Sequence, residues 1–379
     1  MINKDRIVEE FLRLVQIDSP TLHERQLADY LIKKLSDMGL EVTEDNAGKA
    51  IGNTCDDQTG NLICFIKGSL SDAPTLLFSA HMDTVEPGRG VKPVIREGVI
   101  YSDGTTVLGS DDKAGICAII EALTILQEQK IPHGDIEIVL TVAEEGGLKG
   151  AKNLDNKRLK SKMAYVLDCD GPAGTIITRA PSQYRIKASI FGKAAHAGLC
   201  PEEGINAIQV ASKAIAKMKL GRLDDETTAN IGVISGGKAT NIIPDLVNIE
   251  GETRSIDPVK LETETDNIID ILTRAAAEKG AQAKVEKELL YPRLKLEEDH
   301  PVIGIAVKAA ANIGQQPVMV STGGGSDANI LNGYGIPTVN LGIGMSKVHS
   351  TEEFITIENL VLNVRYLLEI IKIGAEYKF

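Results

Sequence analysis

Several short motifs carry side chains that could bind a metal ion or transfer a proton. His81 and Asp83 lie two residues apart in Ser-Ala-His-Met-Asp-Thr, directly after an apolar run. On an extended strand both side chains would face the same side. A metal-binding imidazole usually donates its second ring N–H to a carboxylate or a carbonyl. The pair could therefore be a ligand, His81, and the residue that orients it, Asp83, although an ordinary polar strand end has the same pattern.

Two acidic pairs add carboxylates to this set. Asp111 and Asp112 stand where a loop leads into a helix, in Gly-Ser-Asp-Asp-Lys-Ala-Gly, so one aspartate could cap the helix while Asp111 binds a metal. Glu144 and Glu145 follow an apolar strand and precede two glycines. Neighbouring glutamates at such a place repel one another and lose hydration unless a cation compensates. For an isolated pair, a solvated loop is the alternative.

Two residues further along the chain complete the candidate site. Asp168 ends another apolar strand, and His349 lies near the C-terminus in Ser-Lys-Val-His-Ser. The candidate metal ligands are then His81, Asp111, Glu145, Asp168 and His349, nitrogen and oxygen donors that suit zinc and also manganese or cobalt. Five ligands are too many for one open catalytic site. If one carboxylate bridges, the set supplies three ligands to each of two divalent ions.

These side chains must be positioned by strands that end near one another. Apolar runs predict strands, and apolar residues at helical spacing predict helices. The predicted strands are 62–67, 75–80, 136–143 and 163–167, and the predicted helices are 6–16, 25–38 and 113–129. Strands that alternate with helices indicate an α/β fold with a parallel or mixed sheet, in which ligands gather where strands end.

The pattern changes between residues 182 and 290. Predicted elements there follow the order βαββαβ, with strands at 184–191, 229–235, 246–254 and 282–289 and helices at 204–219 and 258–279. This order is a complete ferredoxin-like unit. The α/β pattern then resumes, with helices at 300–313 and 357–374 and strands at 317–320 and 337–341. We therefore predict a metal-binding catalytic domain formed by 1–181 and 291–379, with a domain inserted at 182–290.

The composition excludes several classes of function. A formal net charge of -12 over 379 residues argues against a nucleic-acid backbone or an anionic membrane as partner. The five cysteines, Cys55, Cys64, Cys117, Cys169 and Cys200, form no C-x-x-C pair, which fits a reducing compartment rather than a disulfide framework. The chain has neither a signal-peptide pattern nor a membrane-length apolar stretch, so we expect a soluble, cytoplasmic protein.

Taken together, the motifs resemble the metallopeptidase family M20. His-Met-Asp-Thr, Gly-Ser-Asp-Asp-Lys-Ala-Gly, Glu-Glu-Gly-Gly and the late Val-His-Ser occur in the order and spacing of that family, and the nearest branch is the peptidase T-like (tripeptidase) branch. The resemblance covers essentially the whole chain, which is shorter than typical members of that branch. It implies a zinc-peptidase-like three-layer catalytic domain, with the inserted unit as lid and dimerisation domain of a homodimer.

The resemblance also implies how the ligands are divided between two divalent ions, zinc in the first place. Asp111 would bridge the two ions. His81 and Asp168 would complete the coordination of one ion, and Glu145 and His349 that of the other.

The remaining roles follow from the same resemblance. Glu144 would be the general base for a metal-activated water, and Asp83 would orient the imidazole of the neighbouring ligand. In the inserted unit, His196 in Gly-Lys-Ala-Ala-His-Ala-Gly would donate to the developing oxyanion. Asn241 and Arg254 match positions that hold the backbone or carboxylate of the substrate. A surface salt bridge is the alternative for Arg254.

These implications predict hydrolysis of short peptides, foremost by an aminopeptidase acting on tripeptides. An aspartate at the position of Asp168 is typical of aminopeptidases in the family. An N-acyl amino-acid deacylase or a carboxypeptidase on the same scaffold is the alternative. Nucleotide binding is a rival from another class, but the glycine-rich segment 232–239 lacks the Ser or Thr of a P-loop and lies between strands. A non-catalytic binding protein is disfavoured by the complete ligand set with Glu144.

Overall fold

The computed structural model describes residues 2–52 and 58–377. They divide into two compact units. The first comprises the described residues of Met1–Thr178, Leu296–Ser321 and Ser326–Phe379, and the second comprises Arg179–Lys295 and Thr322–Gly325. The predicted insertion, 182–290, lies within the second unit. The segment Thr322–Gly325 also belongs to the second unit, whereas the prediction assigned it to the catalytic domain.

The strands are numbered in chain order. They are β1 (Val42–Glu44), β2 (Leu62–Ile66), β3 (Leu76–His81), β4 (Val94–Arg96), β5 (Val99–Tyr101), β6 (Ile136–Thr141), β7 (Met163–Cys169), β8 (Thr175–Ala180), β9 (Ser182–Phe191), β10 (Gly221–Arg222), β11 (Thr227–Gly236), β12 (Leu246–Ser255), β13 (Gln282–Tyr291), β14 (Leu294–Lys295), β15 (Val318–Ser321), β16 (Thr338–Gly342), β17 (Met345–Ser346) and β18 (Phe354–Thr356).

The helices are numbered in the same way. They are α1 (Lys4–Val15), α2 (Arg25–Asp37), α3 (Ala47–Ala50), α4 (Ser110–Gln129), α5 (Lys149–Lys152), α6 (Ala207–Ile215), α7 (Pro258–Ala277), α8 (Pro301–Asn312), α9 (Asp327–Gly333) and α10 (Ile357–Glu376). Short 3-10 turns occur at Asn156–Arg158 and Pro201–Glu203. Among the described residues, no helix combines the length and the apolarity that a membrane crossing requires.

The first unit is built on a mixed sheet, with strands in the order β1-β2-β6-β3-β7-β16-β8 and β15 paired to β8. The neighbours β6, β3, β7 and β16 run parallel, and the outer pairs run antiparallel. Strands β3 and β6 are buried along their whole length. Continuous apolar runs are typical of strands covered on both faces. The predicted α/β fold with a mixed sheet is therefore confirmed.

The second unit follows the predicted succession βαββαβ. Its antiparallel sheet has the order β10-β11-β12-β9-β13, and α6 and α7 pack against it. The unit has its own hydrophobic core, which includes Ile186, Ile190, Val247, Ile268 and Leu272. Each compact unit therefore buries its own apolar surface. Helix α6 is shorter than predicted, because the residues before Ala207 form a 3-10 turn and a bridge with Lys193.

Several short elements were not predicted. Strands β4, β5, β17 and β18 form a separate four-stranded sheet of two- and three-residue strands. Alternation cannot be recognised over so few residues. Four cysteines, Cys64, Cys117, Cys169 and Cys200, are free thiols. Cys55 lies outside the described residues.

Candidate metal centre

The candidate ligands of the first unit meet where neighbouring parallel strands end. His81 is the last residue of β3, Glu144 and Glu145 follow β6, and Asp168 is the next-to-last residue of β7. Because β6, β3 and β7 are parallel neighbours, their carboxyl ends lie at one edge of the sheet. Asp111 joins them from the start of α4. The strand order thus explains why residues distant in sequence share one place.

The two carboxylate oxygens of Asp111 face different histidines. Oδ1 lies 3.0 Å from Nε2 of His81, and Oδ2 lies 3.2 Å from Nε2 of His349. On the first side, Nε2 of His81 is also 3.7 Å from Asp168 Oδ1. On the second side, Nε2 of His349 is 2.7 Å from Glu145 Oε1. Asp111 is therefore shared by two groups of donors.

Each of these groups could hold one cation. The donor atoms of His81, Asp111 and Asp168 lie within 4.8 Å of one another, as do those of Asp111, Glu145 and His349. This is the division that the family resemblance implies. A third group of the same compactness combines Glu144 with His81 and Glu145, so every predicted residue of the first unit except Asp83 belongs to one of the three groups.

The electrostatics of the site indicate an excess of negative charge. Burial raises the pKa of Asp168 to about 7, and neighbouring carboxylates add to the effect. Burial and then the charge of Asp168 raise the pKa of Glu144 well above its usual range. Burial lowers the pKa of His81, but hydrogen bonds to Asp111, Asp168 and Asp83 outweigh it and raise that pKa well above its usual range. A divalent cation would compensate this charge.

Asp83 connects a candidate ligand to the Glu144 loop. His81 Nδ1 donates to the backbone carbonyl of Asp83 at 2.8 Å, and the Asp83 carboxylate is farther away, at 3.5 Å. That carboxylate accepts from the backbone N–H groups of Glu144 and Glu145, at 2.8 and 3.2 Å, and from the hydroxyl of Thr21. A carbonyl can only accept, so Nδ1 carries a proton and Nε2 faces the carboxylates.

The two adjacent aspartates at the start of α4, Asp111 and Asp112, have different hydrogen-bond partners. Asp112 is fully buried and accepts from the backbone N–H groups of His81 and Gly115, at 3.1 and 3.2 Å. The second of these is the bond of a helix-capping aspartate. Asp111 and Asp112 have non-helical backbone angles, so regular helix begins after them. Asp112 thus lies at the cap and Asp111 among the candidate ligands.

Three buried residues near the site were missed from the sequence. Asn340 binds both backbone groups of Asp168, Asp327 accepts from Thr141, and Glu353 accepts from the loop before Asp111. Burial raises the pKa of Asp327 to about 6. Their motifs carry no recognisable spacing. Only the position of Glu353, four residues after a candidate ligand histidine, could have drawn attention to it.

The other predicted residues belong to the second unit. The backbone N–H of Ala197, next to His196, donates to the Asn241 carbonyl at 2.9 Å, so His196 and Asn241 lie together. Nδ1 of His196 accepts from Gly198 and Leu199, at 3.2 Å each. Its proton in the neutral ring is therefore on Nε2.

Arg254 forms an ion pair within the second unit. Its Nε and Nη2 donate to the two carboxylate oxygens of Glu252, at 2.8 and 3.1 Å, and Nη1 donates to the carbonyl of Gly323 at 3.1 Å. These bonds account for three of the five guanidinium N–H donors. The salt bridge that is the alternative role for Arg254 is thus present.

Comparison with known proteins adds independent evidence. The model of Peptidase family M20/M25/M40 matches residues 77–373. The solved structure of aminopeptidase PepT from Bacillus cereus ATCC 10987 is 46% identical, covers 99% of both chains and has a TM-score of 0.91. A tripeptidase from Staphylococcus aureus subsp. aureus Mu50 is 44% identical, covers 100% of both chains and has a TM-score of 0.94. The uncharacterized protein YqjE of Bacillus subtilis (strain 168) is 48% identical over 376 residues, covering 99% of this chain and 100% of YqjE.

The family match at 77–373 includes every candidate metal ligand, and the two solved structures cover 99% and 100% of the chain, so the resemblance stated from the motifs is confirmed. A solved structure of lower identity, the Bacillus subtilis YXEP protein at 20% and a TM-score of 0.75, is described as a dinuclear metal binding peptidase from the M20 family. The chain therefore belongs to Peptidase family M20/M25/M40, as a metallopeptidase whose described relatives include an aminopeptidase and a tripeptidase.

Proposed function

We propose that the chain is a two-metal aminopeptidase that hydrolyses short peptides, foremost tripeptides. The observation that carries this proposal is the sharing of Asp111, whose two carboxylate oxygens each face a different histidine. One carboxylate between two compact donor groups is an arrangement that suits a pair of divalent ions. The B. cereus aminopeptidase and the S. aureus tripeptidase, both above 40% identity, support the substrate class.

The donor set fits two divalent ions, zinc in the first place. His81, Asp111 and Asp168 would hold one ion, and Asp111, Glu145 and His349 the other. Imidazole and carboxylate donors also accept manganese and cobalt. When bound, the two ions would supply Lewis-acid polarisation of the scissile carbonyl and a water of lowered pKa.

Glu144 is the proposed general base. Its side chain is buried, its backbone N–H is held by the Asp83 carboxylate at 2.8 Å, and its carboxylate belongs to the group with His81 and Glu145. A base of raised pKa is suited both to accept a proton and to return it near neutral pH. Glu144 would take the proton of the attacking water and then deliver it to the leaving amine. Asp83 would fix the positions of His81 and the Glu144 loop relative to one another.

The second unit supplies the proposed substrate contacts. His196 is exposed, and its Nδ1 accepts two backbone N–H groups, which leaves Nε2–H to donate to an oxyanion. Asn241 lies beside it and would bind the peptide backbone. Arg254 would bind a substrate carboxylate with the N–H groups that Glu252 and Gly323 do not use.

We also propose a homodimer formed through the second unit, which would act as lid and dimerisation domain. Large apolar side chains of that unit are exposed, including Leu199 at 80%, Val233 at 53% and Ile234 at 50%. Exposed apolar patches on a folded domain mark interaction surfaces. A two-fold partner would cover them with the same surface of its own chain.

A peptide panel tests the proposed activity. Tripeptides, dipeptides and N-acetylated and C-amidated tripeptides are incubated with protein loaded with Zn²⁺, Mn²⁺ or Co²⁺, and products are identified by mass spectrometry. We expect release of the N-terminal residue from free tripeptides and no turnover of N-acetylated ones. Glu144→Gln is the matched negative control. Release of the C-terminal residue, or hydrolysis of N-acyl amino acids alone, would contradict the proposal and favour a carboxypeptidase or a deacylase.

A further inference from the structure

Glu353 accepts hydrogen bonds from four consecutive residues of the loop that carries Asp111. Its Oε2 accepts from the backbone N–H groups of Leu108 and Gly109, at 2.8 and 2.9 Å. Its Oε1 accepts from the Ser110 hydroxyl at 2.6 Å and from the Asp111 N–H at 3.1 Å. These bonds join positions 242 to 245 residues apart. Glu353 is 1% exposed, so its bonds are shielded from water.

The loop depends on such an acceptor. Leu108, Ser110 and Asp111 are buried, and the backbone at Asp111 is not helical. N–H groups at the start of a helix have no acceptor within the helix and need one from outside. A buried N–H without a partner is costly, and an anionic acceptor forms the stronger kind of hydrogen bond. Glu353 therefore holds the backbone from which the Asp111 carboxylate projects.

The same hairpin that carries Glu353 also carries a candidate ligand. His349 and Glu353 lie in the connection between β17 and β18, and the Glu353 N–H donates to the Ser350 carbonyl at 3.1 Å. His349 contacts the Asp111 side chain at 3.2 Å, whereas Glu353 binds the Asp111 backbone. One short segment thus contacts both the side chain and the backbone of Asp111.

We propose that Glu353 is a positioning residue for the dinuclear centre, which fixes the Asp111 carboxylate so that it can serve both metal ions. The inference rests on the proposed function, since it requires Asp111 to be the shared ligand. A role for Glu353 in stability alone would leave metal affinity unchanged. A positioning role predicts weaker binding of both ions, because both would share the ligand whose backbone is released.

Glu353→Gln tests this proposal with little change in shape. An amide has one acceptor oxygen where the carboxylate has two, so one pair of loop donors faces an NH₂ group. We expect the affinity for Mn²⁺, measured by calorimetric titration of the metal-free full-length protein, to fall about 10–100-fold for both ions, the usual loss when a residue that orients a ligand is changed.

Glu137→Gln is the matched control. Glu137 is likewise buried and accepts from the backbone N–H groups of Lys160 and Ser161, at 2.9 and 3.0 Å, but it lies near the start of β6, away from the strand ends that carry the candidate ligands. We expect Glu137→Gln to lower the unfolding temperature while Mn²⁺ affinity stays at the wild-type value. The unfolding temperature of metal-free Glu353→Gln shows how far the substitution destabilises the fold when no metal is bound.

The outcomes separate the two proposals. A wild-type chain that binds fewer than two Mn²⁺ ions would contradict the proposed function. A wild-type chain that binds two, with unchanged affinities in Glu353→Gln, would overturn the role of Glu353 alone. If Glu353→Gln does not fold, Ser110→Ala decides instead, because it removes only the hydroxyl donor. A loss of Mn²⁺ affinity in Ser110→Ala, smaller than the one expected for Glu353→Gln, supports the proposal. An unchanged Mn²⁺ affinity overturns it.

Discussion

Two adjacent glutamates, Glu144 and Glu145, have different surroundings in the folded chain. Glu145 lies 2.7 Å from His349, within the donor group on one side of Asp111. Glu144 is buried, and this burial, followed by the charge of Asp168, raises its pKa well above the usual range. Neighbours in sequence are therefore separated into a proposed ligand and a proposed base.

This separation predicts opposite phenotypes for two isosteric variants. Glu144→Gln should keep both metal ions, because no donor group on either side of Asp111 loses a member, yet its kcat should fall about 10²–10⁴-fold through loss of proton transfer. Glu145→Gln should weaken the binding of one ion. Metal content after desalting and kcat on a tripeptide provide the two measurements. Near-normal turnover by Glu144→Gln would show that another group moves the proton.

Metal binding should also displace protons. Hydrogen bonds to Asp111 and Glu145 raise the pKa of His349 to about 10, so without metal the ring is protonated near neutral pH. Coordination requires the neutral ring. Because the metal competes with a proton, Mn²⁺ affinity should weaken as the pH falls below that value. Calorimetric titration in buffers of different ionisation enthalpy should reveal release of at least one proton per chain, and His349→Ala should release fewer. Heats that are independent of the buffer would contradict this prediction.

The parallel pair β7 and β16 is completed by a side chain instead of the backbone. Their register shifts between Asn340 and Gly342. The Asn340 amide accepts from the Asp168 N–H at 3.0 Å and donates to the Asp168 carbonyl at 2.7 Å and to the Ser326 hydroxyl at 3.2 Å. An amide side chain has the donor and the acceptor of a peptide group. Although the register is irregular here, Asn340 therefore provides partners for both the N–H and the carbonyl of Asp168 at the strand end.

Asn340→Leu should remove this support while nearly preserving volume. Two partly buried backbone groups of Asp168 would lose their partner, which we expect to lower the free energy of unfolding by about 2–4 kcal/mol. The same variant should weaken Mn²⁺ binding, because Asp168 is a proposed ligand.

Asn332→Leu is its control. Asn332 binds the N–H and carbonyl of Thr338, at 3.2 and 2.8 Å, at the opposite end of β16. Asn332→Leu should lower the unfolding temperature and leave Mn²⁺ affinity unchanged. Equal losses of metal affinity in the two variants would mean that general destabilisation, rather than the Asp168 strand end, controls binding.

At the scale of the whole molecule, the residues of the proposed mechanism are distributed over two units with separate cores. The first unit carries all the proposed metal ligands and Glu144, whereas His196, Asn241 and Arg254 belong to the second. Since each unit has its own hydrophobic core, chelation should abolish activity without loss of secondary structure. Far-ultraviolet circular dichroism before and after chelation measures this.

The proposed homodimer predicts that inactive chains can complement one another. We expect His196→Ala and His349→Ala chains to be inactive alone and to regain activity after subunit exchange, if the partner chain supplies His196. With random exchange half the dimers are mixed and half of their sites are whole, so recovery should reach roughly a quarter of wild-type activity. Exchange is verified by native mass spectrometry. Verified exchange without recovery would mean that His196 acts with the ligands of its own chain or not at all.

Local patterns in the sequence were sufficient to predict much of this protein. Apolar runs determine the strands, so the ends of β3, β6 and β7 and the residues that follow them could be located before the structure was known. The βαββαβ succession could be predicted in the same way, because each of its long elements has its own periodicity. The predicted ligand residues needed only motif order and spacing. Residue type and the period of apolar residues along the chain are local properties, and a single sequence records them directly.

Only the tertiary structure decided how these residues cooperate. Which oxygen of Asp111 faces His81 and which faces His349 depends on strand order and on a hairpin more than 230 residues away in sequence. The sequence also left open which atom of Asp83 faces His81: Nδ1 donates to the Asp83 carbonyl, and the Asp83 carboxylate binds the Glu144 loop. Glu353 and Asn340 were missed because each partners backbone N–H and C=O groups, which every residue carries. Such bonds leave no pattern in residue type, and the three-dimensional approach of the chain alone creates them.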